Sequence, residues 1–149
     1  MKFSVCRWFP ALFVSTFCLL ALMQYGQAAE PLEIVNLGGK FSPCGPDGPA
    51  GCEHILLRGD PRTEPSHHVY RMAKGFIFPK HWHDSAENVI VVRGTVVIGS
   101  EVGGERTLRP GDYVHITAGN VHWGQCPDQC VFYLGVEGAD SFYLVEESQ

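Results

Sequence analysis

Residues 75–94 read GFIFPKHWHDSAENVIVVRG, and the prediction of the fold begins with this stretch. His81 and His83 are separated by one residue, so on a β-strand both rings leave the same face and can converge on one point. Glu87 follows four positions later with the same parity and adds a carboxylate. Two imidazoles and a carboxylate at this spacing predict the ligands of a metal ion.

A second stretch, residues 111–122, reads GDYVHITAGNVH and contributes His122, which we expect in a loop after the strand Tyr113–Ile116. Imidazole nitrogens and one carboxylate oxygen suit manganese, iron, cobalt, nickel, copper or zinc better than calcium or magnesium. Four protein ligands leave about two open positions on an octahedral ion, enough for a small ligand. The sequence therefore predicts one divalent transition metal, with the ligands His81, His83, Glu87 and His122.

The chain after residue 28 reads as all-β. It has no run of ten or more residues with a helical period, whereas short β-branched and aromatic runs recur between Gly and Pro residues. The predicted strands are Leu32–Val35, His54–Leu57, His67–Met72, Gly75–Phe78, Asn88–Val92, Thr95–Ile98, Arg106–Leu108, Tyr113–Ile116, Val131–Gly135 and Phe142–Val145. So many short strands predict a sandwich or a closed barrel in a single domain.

The first 28 residues have the pattern of a signal peptide. Lys2 and Arg7 precede an apolar run over residues 8–23, and small residues stand just before Ala29. We expect cleavage before Ala29 and a periplasmic or secreted protein. The alternative is a retained membrane anchor, but the run falls short of the ~20 residues that a spanning helix needs and contains Pro10.

Charge limits the classes of partner. Without Lys2 and Arg7, nine basic and sixteen acidic side chains remain, a net charge of −7 with neutral histidines. Nucleic acids and anionic membranes bind basic patches, so neither is an expected partner. A small-molecule ligand or substrate is the expected partner instead.

Four cysteines follow the predicted signal peptide and allow three disulfide pairings. The close spacing of Cys44 and Cys52, and of Cys126 and Cys130, makes two local loops the simplest scheme, and export to an oxidising compartment would let both form. A zinc cluster is the alternative, although no Cys-x-x-Cys pair is present.

The two histidine-containing stretches together resemble the two motifs of the cupin superfamily. The first stretch has the glycine, His-x-His, glutamate and final glycine of the first motif, at Gly75, His81, His83, Glu87 and Gly94. The second has the glycines and the final histidine of the second motif. It departs from that motif at Thr117, where proline is usual, and at Cys126, where asparagine is frequent. The resemblance covers roughly residues 54 to 145.

This resemblance implies a cupin-type jelly-roll β-barrel with its metal inside one mouth and, by analogy with small cupins, a homodimer. Residues 1–28 would be the signal peptide, 29–53 an N-terminal strand and disulfide loop, and 54–149 the barrel domain. Manganese or iron is favoured at the metal site, with zinc, nickel or copper as alternatives. Gly94 and Gly111 would be turn residues.

For activity, the resemblance implies a metalloenzyme of the dioxygenase, decarboxylase or lyase type that acts on a small organic acid, enol or phenolic compound. The alternative is a metal-dependent module that binds or senses a small ligand without converting it, and metal storage is a weaker third hypothesis. The sequence identifies no catalytic acid or base beyond the four ligands.

The remaining histidines and two of the tryptophans fit no motif. We interpret four histidines as structural: His54, His67, His68 and His115, of which His115 could face the pocket or solvent. Strand parity directs Trp82 away from His81 and His83, whereas Trp123, next to His122, is undecided.

Overall fold

Two antiparallel β-sheets form the fold in the computed structural model, which describes residues 36–38, 40–45 and 48–146. Within these ranges all the regular elements are strands, and no helix is long and apolar enough to cross a membrane. The predicted signal peptide, residues 1–28, and the predicted strand Leu32–Val35 lie outside the described residues. The prediction of an all-β fold is confirmed.

Eleven strands occur in the described residues. They are β1 (Ser42–Pro43), β2 (Cys52–Arg58), β3 (Ser66–Met72), β4 (Phe76–Trp82), β5 (Glu87–Arg93), β6 (Val96–Ser100), β7 (Gly104–Leu108), β8 (Tyr113–Ile116), β9 (His122–Cys126), β10 (Cys130–Val136) and β11 (Tyr143–Leu144). One sheet has the order β1-β2-β3-β10-β5-β8 and is called sheet A; the other, sheet B, has the order β11-β4-β9-β6-β7.

Strand β9 corrects the sequence prediction, because His122 was expected in a loop and instead begins a strand. The buried residues of β9 are His122, Gly124 and Cys126. None of these is a β-branched or large apolar residue, so the strand lacks the alternation by which buried strands are recognised. The short strand β1 was also not predicted.

Strand β4 continues four residues beyond its predicted end at Phe78. Pro79 lies in its middle, where the residue has no N–H to donate to a neighbouring strand. The pairing of β4 with β9 shifts register between Phe78 and His81, which accommodates Pro79. The strand then resumes, and His81 pairs directly with His122.

The core lies between the inward faces of the two sheets. Val89 and Val91 of β5 and Phe132 and Leu134 of β10 are buried and belong to one cluster with Val96 of β6. Burial of a side chain of this size contributes roughly 1.5–3 kcal/mol. Because residues alternate along a strand, the face that buries Val89 and Val91 also turns the first residue of β5, Glu87, inward.

Two local disulfides are formed, as the cysteine spacing predicted. Cys44 is bonded to Cys52, with 5.5 Å between their Cα atoms, and Cys126 to Cys130, with 5.8 Å. All four sulfurs are therefore engaged in pairs, which argues against the alternative of a zinc cluster.

Candidate metal centre and cavity

Four buried polar side chains meet at one end of the space between the sheets. His81 lies near the end of β4, His83 directly follows that strand, Glu87 begins β5 and His122 begins β9. Their exposed fractions are only 5 to 6 %. The antiparallel pairing of β4 and β9 places His81 opposite His122, and the return from β4 to β5 brings Glu87 to the same place.

Each of the three histidines uses one ring nitrogen to hold its orientation. The Nδ1–H of His81 donates to the carbonyl of Pro79 at 2.6 Å, and that of His122 donates to the carbonyl of Asn120 at 2.9 Å. His83 Nδ1–H donates to the carbonyl of Ser141. Since a carbonyl oxygen can only accept, Nδ1 carries the proton and Nε2 of the neutral ring carries a lone pair.

The lone pairs converge. One nitrogen from each histidine lies within 4.8 Å of the other two, and the closest rings, those of His81 and His122, have centroids 4.2 Å apart. The carboxylate oxygens of Glu87 lie 3.4 Å from Nε2 of His83 and 3.4 Å from Nε2 of His122. His83 Nε2 is buried and has no hydrogen-bond partner.

In this arrangement, hydrogen-bond acceptors face one another, namely the Nε2 atoms of the histidines and the oxygens of Glu87. Nε2 lone pairs and a carboxylate repel one another and leave a buried polar atom unsatisfied, unless a cation lies between them. Nitrogen and carboxylate ligands whose other ring nitrogen is fixed by a carbonyl are the usual surroundings of a divalent transition metal. The residues present therefore fit such an ion.

Electrostatics keeps one of the rings neutral. Burial lowers the pKa of His81 from its ordinary 6.5 to about 4. The hydrogen bond to the Pro79 carbonyl opposes that shift, whereas the neighbouring His122 and His83 reinforce it. At neutral pH His81 thus keeps its Nε2 lone pair, which a metal ligand requires.

Residues 138–145, which we call the C-terminal strap, contact both His81 and His83. Phe142 stacks on His81 with ring centroids 4.4 Å apart, and the Ser141 carbonyl is the acceptor for His83. Within the strap, β11 pairs with the end of β4.

Further hydrogen bonds attach the C-terminal strap to the turn after β4. The Ser141 hydroxyl accepts from the backbone N–H of Asp84 at 2.7 Å, and the Tyr143 hydroxyl donates to the Asp84 carboxylate at 2.7 Å. Ser85 donates to the carbonyl of Ala139 at 2.9 Å. The strap and the turn that separates the candidate ligands His83 and Glu87 are therefore fixed to each other.

A cavity of about 570 Å³ opens beside the four polar side chains and extends between the sheets. Its lining includes Tyr70 and Asp140, neither of which was singled out as a functional residue from the sequence. The Asp140 carboxylate lies 3.9 Å from Nδ1 of His83. Burial raises the pKa of Asp140, and the nearby Glu87 adds to that effect while His83 opposes it.

Tyr70 lies on β3, in the wall of the same cavity. Burial raises its pKa, and the charges of Asp140 and Glu87 raise it further. The hydroxyl therefore stays protonated at neutral pH and is available as a donor. Nothing in the local sequence around Tyr70 or Asp140 indicates the site, because both reach it through pairing between distant segments.

The histidines predicted to be structural lie outside the cluster. His68 is buried and bonded to the Ser66 hydroxyl at 2.9 Å, and His67 pairs with Tyr133. His115 is exposed and contacts the Asn88 side chain at 3.2 Å.

The two tryptophans have different surroundings. Trp82 stacks on Tyr143 with centroids 4.3 Å apart and is not part of the cavity lining, as its parity predicted. Trp123 does line the cavity, and the Lys80 ammonium lies 5.3 Å from its ring centroid.

A model of the cupin domain family matches residues 68–134, the segment that contains all four candidate ligands. These residues form a domain of the cupin superfamily, as the two motifs implied. No curated protein matches this cupin in sequence.

Solved structures agree with the fold of this cupin. An RmlC-like cupin from Shewanella frigidimarina has a TM-score of 0.60 at 19 % identity, and the match covers 72 % of this chain and 93 % of that one. The polyketide cyclase RemF from Streptomyces resistomycificus has a TM-score of 0.58 at 17 % identity, over 67 % and 75 % of the two chains.

The DMSP lyase DddQ from Ruegeria pomeroyi has a TM-score of 0.57 at 22 % identity, over 64 % of this cupin. The match spans only 53 % of the lyase chain. At these identities the likeness shows a shared fold, and the cupin's activity has to be argued from its own residues.

Proposed function

We propose that this cupin is an exported metalloenzyme that binds one divalent transition metal through His81, His83, Glu87 and His122. Its substrate would be a small organic acid, enol or phenolic compound. The observation that carries the proposal is the convergence of histidine Nε2 atoms and a buried carboxylate, with each Nδ1 already engaged by a backbone carbonyl.

A bound divalent ion would supply Lewis acidity toward a ligand oxygen and, if manganese or iron, redox chemistry as well. The protein's own part is to position that ligand and exchange protons with it. Tyr70 and Asp140 line the same cavity and have side chains able to do so. The location of Asp140, whose carboxylate lies 3.9 Å from Nδ1 of His83, favours an enzyme over a module that only captures its ligand.

Relatives of the same fold leave the reaction type open, since they include a lyase and a polyketide cyclase. Dioxygenase, decarboxylase and lyase chemistry are all compatible with a metal-bound oxygen ligand and neighbouring proton donors. The proposal is therefore limited to metal-dependent chemistry on an oxygen-donor substrate.

Metal content tests the ligand assignment independently of activity. Elemental analysis of the protein purified from its native compartment should give about one equivalent of a transition metal per chain. His81→Ala and His122→Ala should each lose most of it, because removal of one imidazole breaks the ligand set. The control is His115→Ala, which removes an exposed histidine outside the cluster and should retain the metal. Full metal content in His122→Ala would refute the assignment.

The variant Asp140→Asn distinguishes the hypothesis of an enzyme from that of a module that only binds its ligand. If Asp140 exchanges a proton with the substrate, this isosteric change should lower kcat at least about 100-fold while metal content stays at one equivalent. Tight binding of a ligand without turnover, across a panel of organic acids, enols and phenols, would favour the module.

Export and a homodimer are parts of the proposal with separate support. Two disulfides are typical of proteins from oxidising compartments. Ile90, Val92 and Tyr113 expose apolar surface on the side of sheet A that faces away from the core, as a face between subunits would. Analytical ultracentrifugation would test the dimer.

A further inference from the structure

The wall of the large cavity has a distinct chemical character beyond the metal ligands. Four aromatic rings from three strands form one contiguous group. Phe76 and Phe78 of β4 meet edge to face with centroids 4.8 Å apart, and Phe78 meets Phe132 of β10 at 6.1 Å. Phe132 in turn stacks on Tyr70 of β3 at 5.6 Å. All four residues line the cavity.

Among the described residues, the lining of the cavity offers no cationic side chain to balance a second negative charge. No lysine or arginine lines the cavity in the described part of the chain, and its acidic groups are Glu87 and Asp140. A dianionic ligand would balance one charge at the metal and leave the other facing carboxylates or aromatic rings. Burial of an unpaired charge in such a place is strongly unfavourable.

The volume suits a molecule larger than the smallest acids. About 570 Å³ lies within the roughly 300–1,000 Å³ typical of pockets for small organic ligands. An oxygen-bearing head at the histidine cluster would leave space for a ring against Phe78 and Phe132. Apolar burial against those rings would then contribute to affinity.

We infer that the ligand of this cupin is a neutral or singly charged oxygen chelator with an aromatic or comparably apolar body, such as a phenol or an aryl-substituted enol. This inference rests on the proposed function, because it takes the oxygen head to be held by the metal. It excludes as the preferred ligand sugar phosphates and those dicarboxylates whose second carboxylate would lie away from the metal, against the aromatic wall.

Two hydroxamates with the same metal-binding group test the apolar body. Benzohydroxamate carries a phenyl ring where acetohydroxamate carries a methyl group. The affinities of both compounds for the metal-loaded protein can be measured by calorimetry. We expect benzohydroxamate to bind at least about tenfold more tightly, because its ring leaves water for an apolar wall. Affinities equal within about threefold, with both compounds bound, would overturn the inference and leave the proposed function standing. If neither bound, the proposed function itself would fail.

A substitution at Phe78 tests whether the phenyl ring of benzohydroxamate binds against the aromatic wall. Phe78→Thr should reduce the benzohydroxamate affinity at least about fivefold and leave acetohydroxamate unchanged. The matched control, Val102→Thr, also replaces an apolar side chain by threonine, at a residue that is 87 % exposed and outside the cavity lining, and should change neither affinity. An unchanged ratio in a folded Phe78→Thr protein would contradict a ring against this wall. If that variant does not fold, the wild-type ratio alone decides.

A second pair of compounds tests the charge. Benzoylformate and 4-carboxybenzoylformate share the oxygen-donor head, but the second compound carries an additional carboxylate at the far end of its ring. We expect the dianion to bind at least about tenfold more weakly, since that carboxylate would meet the aromatic wall. Equal affinities would overturn the restriction to singly charged ligands.

Discussion

The orientation of the three candidate ligands His81, His83 and His122 depends on hydrogen bonds made by the ring nitrogen that points away from the proposed metal. Each ring is oriented by a backbone carbonyl, and one of those carbonyls, that of Ser141, comes from a segment distant in the sequence. A side-chain substitution does not remove the backbone carbonyl of the substituted residue. Ser141→Ala should therefore leave the orientation of His83 intact. The orientation of the three rings should therefore tolerate substitutions at the residues that supply the carbonyls.

Gly94 and Gly111 provide a matched pair of turn residues. Both have positive φ, +76° and +93°, as expected for turn glycines. A Cβ on Gly94 would lie 2.3 Å from the carbonyl oxygen of Gln129, whereas a Cβ on Gly111 would meet nothing within 4 Å. We predict that Gly111→Ala costs about 1–2 kcal/mol, from the left-handed backbone alone. Gly94→Ala should cost clearly more, because backbone atoms must also move apart.

Urea unfolding of the two glycine variants would measure this difference. Equal losses of stability would show that the β5–β6 turn relaxes without cost.

His68 predicts a pH dependence of stability away from the metal ligands. Burial lowers its pKa from 6.5 to about 4, with His54 and His67 acting in the same direction. Between these values the unfolded chain binds a proton that the folded chain does not, so stability falls as the pH decreases from about 6.5 to about 4. At about 1.4 kcal/mol per pKa unit, the full effect is on the order of 3 kcal/mol.

Urea unfolding of the metal-free protein at about pH 7 and about pH 4.5 would measure this effect, because most of the His68 titration lies between these two values. The same measurement on His68→Gln provides the comparison. The introduced glutamine side chain would keep a hydrogen-bonding nitrogen for Ser66 and has no titrating group. The variant should lose less stability on acidification than the wild type. His81 titrates in the same range in both proteins, so its contribution cancels in the comparison. Equal losses would mean that His68 accepts its proton without unfolding.

At the level of elements, the C-terminal strap connects the end of the chain to the turn between two ligand-bearing strands. Its attachment includes the Tyr143–Asp84 hydrogen bond and the backbone bond from Val145 N–H to the Lys80 carbonyl at 3.0 Å. We predict that Tyr143→Phe speeds amide exchange of Val145 about twofold to fivefold. Metal affinity should fall by up to about tenfold, because the strap also orients His83.

Tyr113→Phe is the control for this prediction. It removes a similar exposed hydrogen bond, from Tyr113 to Asn88 at 2.6 Å, in sheet A rather than at the strap. In that variant, amide exchange in the strap and the metal affinity should both equal the wild-type values. If both variants affected metal affinity equally, the strap would have no particular role.

An apolar alternation made several strands predictable from the sequence. Strands β5 and β10 bury valine, leucine and phenylalanine at every second position, which periodicity detects. Strand β9 buries a histidine, a glycine and a cysteine, so the same reasoning assigned its residues to a loop. The candidate ligands could be predicted because motif spacing is local in sequence. Asp140 and Phe142 could not, since only the pairing of β11 with β4 brings them to the site.

At the scale of the whole molecule, export and disulfide formation are linked. If residues 1–28 are removed in transit, intact mass analysis of the native protein should give a chain that begins at Ala29. Alkylation before reduction should label none of the four remaining cysteines, because all are paired. A chain that retained Met1, or one with labelled cysteines, would contradict export to an oxidising compartment.

The disulfides should also contribute measurably to the stability of the whole domain. They join residues eight and four positions apart, and the loss of chain entropy in the unfolded state predicts about 2.5 and about 2 kcal/mol respectively. We therefore expect Cys44→Ala/Cys52→Ala to be destabilised slightly more than Cys126→Ala/Cys130→Ala if entropy dominates. The second pair is completely buried in the core cluster, however, so additional loss of packing there would reverse the order. Urea unfolding of both double variants with the metal removed would distinguish the two cases, and no loss of stability in either would show that neither bridge constrains the chain.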